Sequence, residues 1–423
     1  DGQFDIPVRG FVIGAGAAGL IAGLAAHEKG VEVLIVEREA SPSGSTALSS
    51  GLIPACGTRW QAAINVVDDV ETFSKDIQYK NKKQADEVLV HKACSVSGEV
   101  LHWLADNHGQ QFDLIDSFLY PGHSVHRMHC HPKRTGKALI DSLVTAVDKA
   151  GIDIMNSATV TDIFASKTSN IRGIRILRPD GSTEDIGCDS LILACNGFGG
   201  NSSMVSKYIP EMADAMYFGH PGNLGDAVNW GVELGAAIKN MGAYQGHGSV
   251  AIPHGALITW AIMMEGGIQL NSTGRRFSNE HEGYSEQSIK VLQQPGGIAW
   301  NIYDERLHQL GLEFEDYRGA LENGAIKHFA SVDELARSIG ASSEITTSSL
   351  EDIKAFEIGK KHCPFGRNFQ KTGAIKGPPY YGVKVTGALF HTQGGLAVAT
   401  EAKVLRKDNS ALTNLFAAGG AAV

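Results

Sequence analysis

Three glycines and an acid, Gly14, Gly16, Gly19 and Glu37, are the residues whose types and spacing most directly imply chemistry. In Gly14-Ala15-Gly16-Ala17-Ala18-Gly19 the first glycine permits a tight turn, the second admits a pyrophosphate to the backbone, and the third lets helix and strand pack closely. Ala17 and Ala18 open the helix that follows, and its positive end faces the phosphates. Glu37, followed by Arg38, stands where a carboxylate accepts a hydrogen bond from a ribose hydroxyl. An acid rather than an arginine at that point argues against a 2′-phosphate. The ligand these residues imply is an adenine dinucleotide, FAD or NAD.

Such a site needs strand, turn, helix and second strand in that order, and the sequence supplies them. Residues 8–13 are an apolar run that reads as a buried strand. Residues 17–29 read as a helix of small and apolar residues stopped by Gly30, and residues 31–36 as a second strand. Residues 41–51 form a serine- and glycine-rich loop whose amides and hydroxyls can reach a cofactor ring, with Gly44, Ser45, Thr46, Ser49, Ser50 and Gly51 as the contacts. Residues 82–107 and 136–150 read as amphipathic helices and residues 152–195 as strands. The last strand runs into Ala194, Asn196 and Gly197, a natural second contact with the dinucleotide. Asp226 opens another helix, 226–236.

Residues 243–388 change character, with aromatic and histidine-bearing loops, helical stretches at 304–322 and 331–339, and a polar loop at 342–349. Strand pattern returns at 380–395, and residues 414–420 end in Gly419 and Gly420. The expected fold is α/β: a Rossmann-like dinucleotide domain formed by residues 1–242 and 389–423, with an α+β domain, 243–388, inserted between them. A ligand site is expected where the two meet.

Seven ordered blocks now stand in the sequence: Gly14-x-Gly16-x-x-Gly19 with Glu37, Gly44-x-Thr46-x-x-Ser49-x-Gly51, Ala194-x-x-Gly197-x-x-Gly200, Gly225-Asp226, Gly274-Arg275-Arg276-Phe277-Ser278-Asn279-Glu280, His391-Thr392-Gln393-Gly394-Gly395 and Leu415-Phe416-Ala417-Ala418-Gly419-Gly420. Together they resemble the fumarate reductase/succinate dehydrogenase flavoprotein family, which includes the 3-ketosteroid Δ1-dehydrogenases. The resemblance runs from residue 7 to the end. It implies FAD, a capping role for the inserted domain, and hydride exchange between flavin N5 and a carbon next to a carbonyl or carboxylate.

Residue by residue, the resemblance gives His247 and Thr259 the twelve-residue spacing of the pair that holds the substrate carboxylate in fumarate reductases. The proton-relay glutamate and arginine of those enzymes are replaced by Trp260 and Met263. The place of their proton-donating arginine, just after Asn279-Glu280, is taken by Tyr284, where ketosteroid dehydrogenases carry a catalytic tyrosine. Tyr381 resembles the carbonyl-orienting tyrosine of the dehydrogenases, and His391 the histidine that anchors substrate near the flavin. Ser45 stands where succinate dehydrogenases carry the histidine bonded to flavin, so the FAD is expected to be non-covalent.

Tyrosine is a weak base unless cations stabilise its phenolate, and Arg275, Arg276 and nearby histidines are candidates for that. The missing arginine–glutamate relay favours dehydrogenation over reduction. The alternatives are a fumarate-reductase-like ene reductase, a non-catalytic flavin-binding relic, and an NAD-dependent dehydrogenase, which leaves the later glycine blocks unexplained.

Composition narrows the partners. A net charge of −9 over 423 residues makes no case for nucleic acid or an anionic membrane. No apolar run reaches the eighteen or so residues of a membrane span, and the first ten residues lack the basic-then-apolar form of a secretory leader. Six scattered cysteines without a C-x-x-C argue against structural zinc, iron–sulfur and c-type haem and suit a reducing cytoplasm. His123, His126, His129, Cys130 and His131 fit no usual zinc spacing, so no metal is expected. The expected partners are a small carbonyl or carboxylate substrate and an electron donor or acceptor that this sequence leaves unspecified.

Overall fold

The fingerprint folds as a strand Ile6–Ile13, a helix Ala17–Glu28 and a strand Val33–Val36, in a computed structural model that describes residue 4 and residues 6–423. The reading of the first ten residues as no leader falls partly outside the described residues. The two strands run parallel, from Gly10 opposite Val33 to Ile13 opposite Val36. Two glycines set how near the helix comes: a Cβ at Gly19 would lie 1.8 Å from the Gly14 carbonyl oxygen, and one at Gly23 2.8 Å from Ile35 Cδ1. Leu20, Leu24, Ile35, Ile140 and Leu143 fill the layer between sheet and helices.

Five strands form the parallel part of an eight-stranded sheet, in the order Ala411–Ala417, Thr183–Leu193, Ile6–Ile13, Val33–Val36 and Asp153–Met155. The hairpin Thr159–Ala165 and Ile171–Leu177 adds to it antiparallel through Thr183–Leu193. Ile13, Val36, Leu193 and Ala417 therefore all end on one side. In an open α/β sheet, ligands bind outside the carboxyl ends of the strands.

A second sheet of seven strands is built around one long strand, Tyr380–Thr392. Tyr244–Ala251 pairs with its second half and Ile298–Tyr303 with its first. Met216–Tyr217, from before residue 243, joins the same strand in parallel. The helix Tyr284–Leu292 lies directly on this sheet, because glycines beneath it leave room. A Cβ at Gly246 would come 2.2 Å from Ser288 Oγ, and one at Gly387 2.1 Å from the Ser288 carbonyl oxygen.

Residues 342–349 are no polar loop. Ser342 caps a helix, Ser343–Glu357, by accepting from the Ile345 amide, and Leu350, Ile353 and Phe356 bury its inner face. The run of serines and threonines occupies the first turns, where capping and solvent exposure override low helix propensity. The helix expected at 82–107 is Glu87–His108, and it follows a separate helix, Val70–Lys80. Among the described residues no helix is long and apolar enough to cross a membrane.

Candidate active site

A cavity of about 540 Å³ opens at the carboxyl ends of the parallel strands. Gly14, Gly16, Ala17 and Ala18 line it from the turn and the helix start, and Gly14 adopts φ +105° with its missing Cβ 2.4 Å from the Ala194 carbonyl oxygen. Any side chain there would both strain the turn and strike the next strand. Glu37 stands across the turn, its carboxylate accepting from the Ala15 amide at 2.9 Å and the Glu39 amide at 3.0 Å. Those two bonds fix its rotamer and leave lone pairs for a hydroxyl.

From the serine-rich loop, Gly44, Ser45 and Thr46 reach the wall. Thr46 Oγ1 accepts from the Ala17 amide at 3.1 Å, which ties loop to helix start. Ser45 Oγ accepts from the His220 amide at 3.1 Å and from Asn223 Nδ2 at 2.9 Å. Arg38, which donates to the Gly222 carbonyl, lines the wall with Ala194, Asn196, Asp226, Gly419 and Gly420. Asn196 and Gly419 both have positive φ, and Asn196 Oδ1 accepts from the Gly197 amide at 2.8 Å. Burial raises the Asp226 carboxyl and pushes the Cys195 thiol up to about 12.

Five expected contacts, Gly19, Ser49, Ser50, Gly51 and Gly197, stand back from this wall. Gly19 packs under the helix and Gly197 against Thr392, its missing Cβ only 2.0 Å from Thr392 Oγ1. Ser50 is off the wall, and Gly51 packs against Thr135 and Gly136. Gly136 is a position that sequence reasoning missed. A Cβ there would lie 1.8 Å from the Thr46 carbonyl oxygen, so this glycine lets the loop sit against the helix behind it. Its signal was a glycine at the first turn of an amphipathic helix.

A smaller compartment of about 240 Å³ adjoins the cavity and shares Ser45, Thr46, Asn196, His391 and Gly420 with it. Ser49, Leu48, Phe218 and Phe390 complete its wall. His391 belongs to both spaces, and its Nε2 donates to Gln245 Oε1 at 3.0 Å. Burial holds this imidazole below the ordinary histidine range. Phe390 stands beside it because of a bulge: Gln245 faces His391 and Gly246 faces Leu389, so Phe390 is the inserted residue. A bulge re-aims a side chain that strict alternation would turn to the other face.

Behind Phe390 lie His247 and Tyr284. His247 stacks on Phe390 at 4.9 Å and on Tyr284 at 5.0 Å, with Trp260 edge-on at 5.7 Å. Its Nδ1 accepts from the Ser249 amide at 3.1 Å, and burial drives its pKa to about 3, so the ring is neutral. Thr259 accepts from the Ala261 amide at 3.3 Å, one residue from Trp260. The structure thus stacks His247 on Tyr284, with Thr259 next in the chain to the adjoining Trp260, and leaves all three off the walls of the cavity and the compartment.

Two expectations about tyrosine are corrected. Among the described residues no cation acts on the Tyr284 hydroxyl: burial, then the nearby Glu286, push it up to about 12, and Lys80 close by is paired with Glu286. Arg276 is instead committed to Glu280, at 2.6 and 3.0 Å, and Arg275 is exposed. Arg367 joins that pair at 2.9 Å, and the two guanidinium groups hold the Glu280 carboxyl at about 2. Tyr381 is elsewhere altogether. Its hydroxyl donates to Glu305 Oε2 at 2.5 Å and its ring lies on His308 at 4.2 Å. It precedes His391 by ten residues on the same strand, a separation of roughly 30 Å. It cannot orient a substrate held by His391.

The histidine-rich segment is inward-facing in part. His129 is fully buried between Thr58 Oγ1 and the Arg127 carbonyl, both at 2.8 Å. Arg127 pairs with Asp68 and Asp76.

The residues present fit an adenine dinucleotide: glycines leave the turn open to a pyrophosphate, a helix begins there, and a fixed carboxylate on the cavity wall has lone pairs for a ribose hydroxyl. Comparisons agree. A profile described as FAD binding domain matches residues 11–423. A probable fumarate reductase of Shewanella frigidimarina is 30% identical over 96% of this chain and 68% of its own length. An NADH:fumarate oxidoreductase of Klebsiella pneumoniae is 28% identical, and the chain spans 44% of it. Among solved structures, the open conformation of a flavocytochrome c3 fumarate reductase superposes with TM-score 0.83 at 29% identity, over 99% of this chain and 74% of that one. A 3-ketosteroid-delta4-(5alpha)-dehydrogenase of Rhodococcus jostii shares the fold, with TM-score 0.77 at 22% identity over 99% and 92% of the two chains.

Proposed function

The chain belongs to the FAD binding domain family, and from that premise we propose that it moves a pair of hydrogens across a carbon–carbon bond next to a carbonyl or carboxylate. It is an FAD-dependent oxidoreductase. The single observation that carries the reading is the compartment that shares His391 and Gly420 with the cofactor cavity. When bound, FAD supplies a two-electron acceptor and donor able to take or give a hydride at N5.

The chain's own residues then divide the work. Gly14 and Gly16 with Ala17 and Ala18 would hold the pyrophosphate, and Glu37 the ribose. Ser45, Thr46, Asn196, Asp226, Gly419 and Gly420 would hold the rest of the cofactor. With a serine at position 45, its hydroxyl bonded to His220 and Asn223, the cofactor is held non-covalently. Residues 243–388 act as the cap.

His391 binds the substrate oxygen, exchanging the hydrogen bond it gives Gln245 for one to the substrate. In the first reading Tyr284 is the acid or base, its proton reaching the compartment past the Phe390 and His247 rings. In a second reading His391 itself carries the proton, and its place on the compartment wall favours this.

Rapid-mixing measurements on Tyr284→Phe and His391→Gln separate the two. Loss of a positioned donor costs about 10²–10³ in rate. His391→Gln is expected to lose that much while keeping its flavin spectrum. Tyr284→Phe loses as much in the first reading. Unchanged rates in Tyr284→Phe contradict that assignment and leave the proton with His391.

A further inference from the structure

The wall of the smaller compartment has a chemical character of its own. Phe218 and Phe390 lie nearly parallel there, ring centres 5.0 Å apart and planes 21° apart. Phe218 is fixed by its amide, which donates to the Leu389 carbonyl at 2.8 Å, and Phe390 by the bulge. Leu48 continues the apolar side. Among the described residues, His391 is the one titratable side chain on this wall, and no lysine or arginine lines it. His247, the other histidine expected to bind a carboxylate, is covered by the Phe390 ring.

One oxygen-bearing end of a substrate therefore has a donor here. Ser45, Thr46, Ser49 and Asn196 make another part of the wall polar, but a second carboxylate reaching the Phe218–Phe390 side would face phenyl rings and lose hydration without a replacement partner there, which is costly. A flat unsaturated body would lie against aromatic and aliphatic carbon, which is favourable. We infer that Phe218 and Phe390 are specificity-determining residues that select an α,β-unsaturated acid or ketone with one oxygen-bearing end and a flat apolar body, in preference to a dicarboxylate. The inference rests on the hydrogen-pair reading above and departs from the substrate in the names of the fumarate reductases this chain resembles. In the reducing direction the double bond gains one hydride and one proton and becomes a single bond. The two electrons come from the reduced cofactor.

Calorimetric titration of the oxidised, FAD-loaded protein tests the selection apart from turnover, because oxidised protein cannot reduce either probe. trans-Cinnamate is expected to bind at least about tenfold more tightly than fumarate, the order a stacked aromatic contact contributes. Phe218→Ala and Phe390→Ala should each bring the two probes to within about threefold, with the flavin spectrum retained. Phe218→Leu, which keeps an apolar wall without a ring, should fall between. Fumarate binding as tightly as trans-cinnamate, neither probe binding, or a preference that survives both alanine variants overturns the inference. If the preference holds but trans-cinnamate fails to reoxidise the reduced protein, the selection stands and the hydrogen-pair reading falls.

Discussion

His391 reaches the cofactor side of the molecule because one extra residue, Phe390, is inserted opposite Gln245 and Gly246. Its imidazole is held below the ordinary histidine value of 6.5 by burial. Burial therefore favours the neutral ring, with Nε2–H available as a donor. The acid limb of kcat/KM that this residue governs is expected below pH 6.5. A limb at or above 6.5 in a pH–rate profile contradicts the neutral-donor role.

At this scale the turn at Gly14–Gly19 and the place of Glu37 at the end of the second strand were legible because both depend on local spacing alone. Phe390 was not, since a bulge is defined by which partner residue faces it. Tyr381 misled for the same reason: its hydroxyl belongs to Glu305, a partner 76 residues away in sequence.

Between residue and molecule, the turn that leads into the helix Tyr284–Leu292 is held by Glu280. Its carboxylate accepts from Arg276, Arg367 and the Gln269 amide, all buried together. The Arg-Phe-x-Asn-Glu block is thus an anchor for this turn, and its arginines are spent on Glu280 rather than on Tyr284. Glu280→Gln leaves two guanidinium groups facing a neutral amide and is expected to cost about 3–5 kcal/mol in denaturant unfolding.

The pH dependence follows in sign. A carboxyl held at about 2 when folded, against 4.5 ordinarily, contributes stability that is fully present above about 4.5 and is lost as pH falls toward 2. The variant should lack that loss in the same window. A Glu280→Gln protein as stable as wild type, with the same acid unfolding, contradicts the anchor. Element identity was legible where apolar periodicity was strong, as in the parallel strands and the helix Gly136–Ala150. It failed at Ser343–Glu357, where polar residues fill the first turns, the buried Thr346 among them, and the apolar part of the buried face, Leu350, Ile353 and Phe356, begins only later.

Across the whole molecule, two strands of the seven-stranded sheet bring its residues to the site. Tyr380–Thr392 carries His391 at its far end, and Met216–Tyr217 crosses from the dinucleotide side and delivers Phe218. The α/β class and a dinucleotide part interrupted by a second unit were readable from the return of strand pattern at the end of the sequence. The pairing of Met216–Tyr217 with a strand more than 160 residues later was not, because parallel partners carry no local signal.

The central claim is that the cavity and its adjoining compartment bring a carbon–carbon double bond to a flavin. The most direct measurement is anaerobic: the FAD-loaded protein, reduced and freed of reductant, is mixed with trans-cinnamate and the visible flavin absorbance is followed. The account expects the oxidised spectrum to return with formation of the saturated acid in equal amount. A flavin that stays reduced while trans-cinnamate is bound contradicts it.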